Sequence, residues 1–169
     1  MALKGIVLYR TTYGSTQEYA GWIANKTGYK MEAMQDFDTA EIENYDVIIL
    51  GSNIIAGMLR GAKWIKKNWT LLSSKKIFLY TVGGLAEDGP ERIKTLTTSL
   101  DKEMIEGITI FHFRGRVNSA ELKPLHRAVV KMVSKTSKEK EKSSSFGDFD
   151  YVNKDYILPL LAGLPFYDN

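Results

Sequence analysis

Four apolar runs punctuate the chain: LKGIVLYR (3–10), YDVIILGS (45–52), KKIFLYTVGG (75–84) and GITIFHFRG (107–115). Their near-continuous apolar stretches predict strands buried on both faces. YKMEAM (29–34) alternates instead, as an edge strand does when only one face is covered. Between the runs the apolar period lengthens. Residues 15–26 place Tyr19, Ala20, Ile23 and Ala24 on one helical face, and residues 59–72 do the same with Trp64, Ile65, Leu71 and Leu72. A helix over 90–100 follows Asp88-Gly89, with Pro90 near its N1 position. Residues 36–44 leave room for a brief helix only, and DYVNKDYILPLLAGL (150–164) predicts a last one, ended near Gly163 and Pro165. Strands alternating with helices predict an α/β three-layer sandwich: a five-stranded parallel sheet with right-handed crossovers, in the doubly wound order 2-1-3-4-5.

The 169 residues predict one domain, and no internal repeat is visible. With 44% hydrophobic and 25% charged residues the composition is that of a soluble globular protein. The run near the N-terminus meets Arg10 and no small-residue cleavage site, which argues against a signal peptide. No stretch approaches the roughly 18 apolar residues of a membrane span. The absence of cysteine excludes disulfides, thiolate nucleophiles, iron–sulfur clusters and cysteine zinc sites, and is compatible with a cytoplasmic location. Charge is uneven. Residues 114–142 hold nine Lys/Arg against three Asp/Glu, a net of +6, so the other 140 residues contribute −3 to the formal +3. SKTSKEKEKSSS (134–145) reads as a solvated low-complexity loop.

Candidate chemistry gathers at the strand ends. In an open parallel sheet, ligands bind beyond the carboxyl ends of the strands, where strand order reverses. That point lies between the first and third strands here. The first strand ends in Thr11-Thr12-Tyr13-Gly14-Ser15-Thr16, rich in hydroxyls, free of charge, and placed at the start of a helix. Backbone N–H groups at such a helix start favour an anion, and hydroxyls add donors without a counter-charge. A phosphate monoester is the occupant such a loop suits, a plain hydroxyl-rich helix cap being the other reading. Neither GxxxxGK[ST] nor GxGxxG occurs. GSNIIAGMLRG (51–61) and VGGLAEDGP (82–90) end the next two buried strands beside the same switch point. His112 and His126 stand apart and make no metal site, and no HExxH or nucleophile elbow is present. Arg10, Arg60, Arg114 and Arg116 are candidate anion contacts.

The 11–16 segment resembles the phosphate loop of flavodoxins, [ST]-x-T-G-x-T, with Thr11, Gly14 and Thr16 matching and Tyr13 replacing the central threonine. The resemblance implies a flavodoxin-like fold binding one FMN, with the phosphate held by Thr11, Thr12, Tyr13, Gly14, Ser15 and Thr16. It implies that Ser52, Asn53, Ile54, Ile55, Ala56 and Gly57, with Gly83, Gly84, Leu85 and Ala86, line the flavin ring. Gly57 is similar in placement to the glycine whose carbonyl turns to accept the N5 hydrogen of reduced flavin. Neither ring loop offers the Trp or Tyr that stacks on FMN in electron-shuttling flavodoxins; Ile54, Ile55, Met58 and Leu85 stand in their place. Trp22, Trp64 and Trp69 fall on helical patterns and read as packing residues.

Over the whole chain the sequence is similar in style to menaquinone-dependent protoporphyrinogen IX dehydrogenases, through GSNIIAG, WIKKNWTLLSSKKIFLYTVG and a basic helical insertion at about 114–148, after or within the fifth strand. That resemblance implies an FMN-dependent oxidoreductase of haem biosynthesis, with porphyrinogen and quinone as partners, at the inner face of a membrane as a peripheral protein. No nucleic-acid partner is implied. A flavodoxin-type electron carrier serving a redox protein, and a flavin-free anion-binding or regulatory module, are the alternatives. Within the insertion Leu122, Leu125, Val129, Met132 and Val133 form an apolar stripe, and Lys123, Arg127, Lys131 and Lys135 a cationic face suited to an anionic membrane or a carboxylate-bearing substrate. An ordinary surface helix is the alternative. Lying on a different connection from the phosphate loop, this helix is expected to leave FMN affinity untouched.

Overall fold

A computed structural model describes residues 3–84, 90–118, 120–128 and 148–165. Its centre is a parallel sheet built from β1 (Gly5–Arg10), β2 (Lys30–Ala33), β3 (Val47–Ile55), β5 (Lys76–Gly83) and β6 (Ile108–Arg114) in the order β2-β1-β3-β5-β6, with β4 (Met58–Leu59) beside β3. Without β4, this is the predicted 2-1-3-4-5 order. The register runs Arg10↔Ser52 across β1 and β3, Ser52↔Thr81 across β3 and β5 and Thr81↔His112 across β5 and β6, so these four strands end close to one level. The loops after them therefore share one edge.

The near-continuous apolar runs are explained by two cores. Ile6, Leu8, Ile48, Leu50, Ile77 and Leu79 project to one face, where they meet Ile42, Ile65, Leu72 and Met104. The alternate residues Val7, Val47, Ile49, Phe78 and Tyr80 project to the other, against Tyr19, Ala20 and Ile23 of α1 (Ser15–Thr27) and Ile157, Leu160 and Leu161 of the last helix, Ile157–Gly163. β2 has one buried residue, Ala33, and forms the edge its alternation predicts.

Three local expectations are corrected. The helix expected over 59–72 begins later and divides into α2 (Ala62–Lys67) and α3 (Trp69–Leu72). At the division the Trp64 carbonyl accepts both the Asn68 side-chain amide (2.8 Å) and the Asn68 N–H (3.2 Å), a local side-chain bond that competes with the regular ladder. The glycine-rich stretch after the third predicted strand is no plain loop: β3 continues to Ile55 and turns back antiparallel as β4, pairing Ile54↔Leu59 and Ile55↔Met58. The turn residues Ala56 (φ 53°) and Gly57 (φ 71°) both lie in the left-handed region, which matches the right-handed twist of a tight hairpin. A helix not expected, α5 (Lys102–Gly107), follows α4 (Pro90–Ser99); at six residues it is too short to show a period.

β6 leads through Gly115 into β7 (Arg116–Val117), which pairs antiparallel with β8 (Phe149–Asp150). This two-stranded stalk bounds the insertion, which thus leaves after the fifth parallel strand and returns beside it. Residues 124–128 are helical. Leu122 is buried and Leu125 is 74% exposed, so these two members of the predicted stripe do not share a buried face. Val129, Met132, Val133, Lys131, Lys135 and the 134–145 loop lie outside the described residues, as do Leu85 and Ala86.

Candidate functional site

The chain leaves β1 at Arg10 and enters α1 at Ser15, with Gly14 as N-cap in a left-handed conformation (φ 95°) that a side chain rarely adopts. The Gly14 N–H donates to Thr11 Oγ1 (3.0 Å), which closes the loop on itself. Asn53, from β3, donates through Nδ2 to Thr12 Oγ1 (2.9 Å) and ties the loop to its neighbour strand. Beneath it, the Tyr80 hydroxyl donates to Thr16 O (3.0 Å); full burial raises this phenol well above its ordinary pKa, so it stays a neutral donor. The ring of Tyr80 fits there because Gly51, opposite it in the sheet, has no side chain: a Cβ would collide with the phenol.

This scaffold leaves one hydroxyl over. Thr16 is 1% exposed and its Oγ1 meets no protein partner, an arrangement that costs about 1–3 kcal/mol unless a ligand answers it. Thr11 and Thr12 already accept, but each keeps an O–H to donate. The first N–H groups of α1 have no carbonyl four residues back, Glu18 N to Gly14 O being the first rung. Donors without a counter-charge, beside a buried orphan oxygen at a helix start, fit a phosphate. Thr11, Thr12, Gly14, Ser15 and Thr16 would hold it.

Ser52 and Asn53 are buried at the carboxyl end of β3. Ser52 Oγ accepts from Gly61 N (2.7 Å) and fixes the return of the hairpin, and Asn53 Oδ1 is the second buried oxygen without a partner. Ile54 and Ile55 are half-buried; Ala56 and Gly57 stand exposed at the tip, next to an exposed Met58. Opposite, β5 ends at Gly83, with Gly84 beyond it. The hairpin and the end of β5 leave an apolar, backbone-rich border beside loop 11–16, suited to a planar ring.

The sequence reading missed what braces this border. Phe149, from the far end of the insertion, packs so closely on Gly84 that a Cβ there would lie 2.6 Å from its ring. Phe149 and Tyr151 stack at 5.0 Å between centroids, and the Arg114 guanidinium lies 3.7 Å over the Tyr151 ring while Nη2 donates to Gly84 O (3.3 Å). An aromatic group therefore does stand at Gly84, though from a segment about sixty residues downstream. The spacing along the sequence carried no signal for it.

The candidate arginines are mostly committed elsewhere. Arg10 reaches Gln35 (3.3 Å), and Arg116 pairs with Glu18 (2.8 Å) and Asp150 (3.2 Å). Arg60 is exposed. His112 is buried with Nδ1 2.6 Å from Thr81 Oγ1, a satisfied core group. Trp22, Trp64 and Trp69 pack against the two cores as expected. Among the described residues no group of three or more His, Asp or Glu could hold a metal, and no helix is long and apolar enough to cross a membrane.

The insertion is not separate from loop 11–16, contrary to expectation. The Tyr13 hydroxyl bonds His126 Nδ1 and accepts from Lys123 N (3.2 Å), and Ser15 Oγ accepts from Arg116 N (3.3 Å). Tyr19, one turn along α1, donates to Arg114 O (2.7 Å) and accepts from Asn153 N (3.1 Å); burial raises its pKa to about 12. Lys123 and Arg127 are exposed beside this junction.

A family model described as flavodoxin domain matches residues 6–144. Among solved structures, a flavodoxin from the domain Archaea is 19% identical with a TM-score of 0.50, covering 79% of this chain and 98% of its own. The Trp repressor binding protein from Bacillus subtilis is 16% identical with a TM-score of 0.52, over 68% of this chain and 85% of its own. A flavoprotein in complex with FMN from Lactobacillus acidophilus is 13% identical with a TM-score of 0.47, over 67% and 93%. At these identities the first two speak for the fold. The comparison with curated proteins returned no match.

Proposed function

The chain belongs to the flavodoxin domain family, and we propose that it binds one FMN non-covalently and acts in redox chemistry, as an oxidoreductase of protoporphyrinogen IX with a quinone as electron acceptor. The observation that carries the cofactor reading is the orphaned, buried Thr16 Oγ1 in an uncharged hydroxyl loop at a helix start. When bound, FMN supplies the electron-transfer chemistry, and the protein supplies anchoring, orientation and electrostatics. Thr11, Thr12, Gly14, Ser15 and Thr16 hold the phosphate. The 52–57 hairpin and Gly83-Gly84 border the ring, with Phe149 and Arg114 bracing the second of these.

The substrate class is supported by charge. Lys123 and Arg127 are exposed at the edge of the phosphate loop, in the segment that carries a net +6. A porphyrinogen brings carboxylates, which such a surface attracts, and an electron carrier for a basic protein partner gains nothing from it. The exposed Leu125 between those two cations is also the arrangement by which a peripheral protein rests on an anionic lipid surface. The test is turnover of protoporphyrinogen IX with menadione, run beside reduction by a ferredoxin reductase. Substrate-dependent quinone reduction, with a raised KM in the variant carrying Gln at 123, 127, 131 and 135, is the expected result. Reductase-driven reduction without porphyrinogen turnover would make the protein an electron carrier, and a colourless protein that takes up no FMN would leave an anion-binding module.

A further inference from the structure

Loop 11–16 is held from several sides, and the insertion provides two of the holds. Thr11 closes on Gly14 and Thr12 is tied to Asn53, both within the sheet-and-helix body. Tyr13 and Ser15 are instead tied to the segment after β6. Tyr13 stands where the flavodoxin loop pattern has a small hydroxyl residue, and its long side chain carries its oxygen out of the loop to the insertion. There it accepts the Lys123 N–H and bonds His126 Nδ1, with the phenol and imidazole rings edge to face at 5.7 Å. Leu122, in the same turn, is buried at 7% exposure. Because Tyr13 and Gly14 are neighbours, a shift of the phenol moves the backbone from which the phosphate donors project.

We propose that His126 is a positioning residue of the phosphate site: through Tyr13 it holds loop 11–16 in the anion-binding conformation, so that the insertion and the cofactor phosphate form one coupled unit. This rests on the reading of loop 11–16 as the phosphate site. The coupling is reciprocal: a ligand on the insertion that changes FMN affinity has its own affinity changed by FMN by the same factor. An anionic partner on the exposed Lys123–Arg127 surface would thus be sensed at the phosphate.

The test compares wild type, Tyr13→Phe, His126→Ala, His126→Gln and the double variant Tyr13→Phe/His126→Ala, for affinity toward FMN, riboflavin and inorganic phosphate. Thermal unfolding of each cofactor-free protein confirms folding. One neutral hydrogen bond lost from a positioning contact predicts a fall in FMN affinity of about two- to tenfold in either single variant. The double variant should lose no more than the weaker single, His126→Gln should recover part of the loss, and riboflavin, which has no phosphate, should bind all five proteins alike. Equal losses for riboflavin and FMN, unchanged FMN affinity in both single variants, or additive losses in the double would each overturn the proposal. If wild type binds inorganic phosphate but no FMN, the cofactor reading fails, and the phosphate affinities alone decide the role of His126. Wild type that binds neither would sink both.

Discussion

Replacing Thr16 by Val separates the two states of the site, because stability and affinity should move in opposite directions. Val keeps the β-branched shape, so rotamer stiffness and helix fit change little. What disappears is Oγ1, buried in a residue 1% exposed and unpartnered by protein. Relieving a desolvated, unpaired hydroxyl stabilises by about 1–3 kcal/mol, so the cofactor-free variant should gain about 1 kcal/mol or more. For a chain of this size that raises Tm by roughly 2–4 °C per kcal/mol. The phosphate then loses a donor, and a hydrogen bond to a charged acceptor is worth about 1.5–3 kcal/mol, or roughly ten- to a hundredfold in Kd. Urea unfolding of the cofactor-free proteins gives the first quantity, and FMN fluorescence quenching the second. Loss of stability in the cofactor-free variant would show that the hydroxyl has a partner in the folded chain. Unchanged FMN affinity would place the phosphate elsewhere.

Three further outcomes follow from the same geometry. Gly51→Ala drives a Cβ into the Tyr80 phenol and removes the support that Tyr80 gives Thr16 O, so it should destabilise by about 1–3 kcal/mol in chemical unfolding; no change would mean the sheet shifts freely there. Gly57→Val forces a β-branched residue into φ 71° at the hairpin tip, which should alter the separation of the two one-electron potentials of the bound flavin, and an identical separation in potentiometric titration would remove Gly57 from the ring contact. Tyr19 has a folded-state pKa raised from 10.0 to about 12, so its contribution is complete below pH 10 and fades as the unfolded phenol ionises; stability should fall between about pH 10 and 12, by no more than about 2–3 kcal/mol, and Tyr19→Phe should flatten that fall in urea midpoints measured across the range.

The order of the sheet was legible because local pattern suffices for it: strands buried on both faces read as apolar runs, and an edge strand alternates. The 11–16 loop was legible as a candidate anion site for a similar reason, since Thr11 to Thr16 are consecutive and a strand-to-helix turn sets its own chemistry. The Ala56–Gly57 hairpin was not. Its residues admit a loop as well as a turn, and pairing of Ile55 with Met58 depends on β3 being long enough to offer a partner. Tertiary structure alone placed Phe149 on Gly84 and His126 on Tyr13, because those contacts join segments 65 and 113 positions apart. No periodicity spans such distances. It was the stalk of β7 and β8, pairing Arg116 with Asp150 and Val117 with Phe149, that returned the chain beside the strand ends, where Phe149 meets Gly84. Charge and composition named the insertion as unusual, and the geometry of the sheet edge decided what it touches.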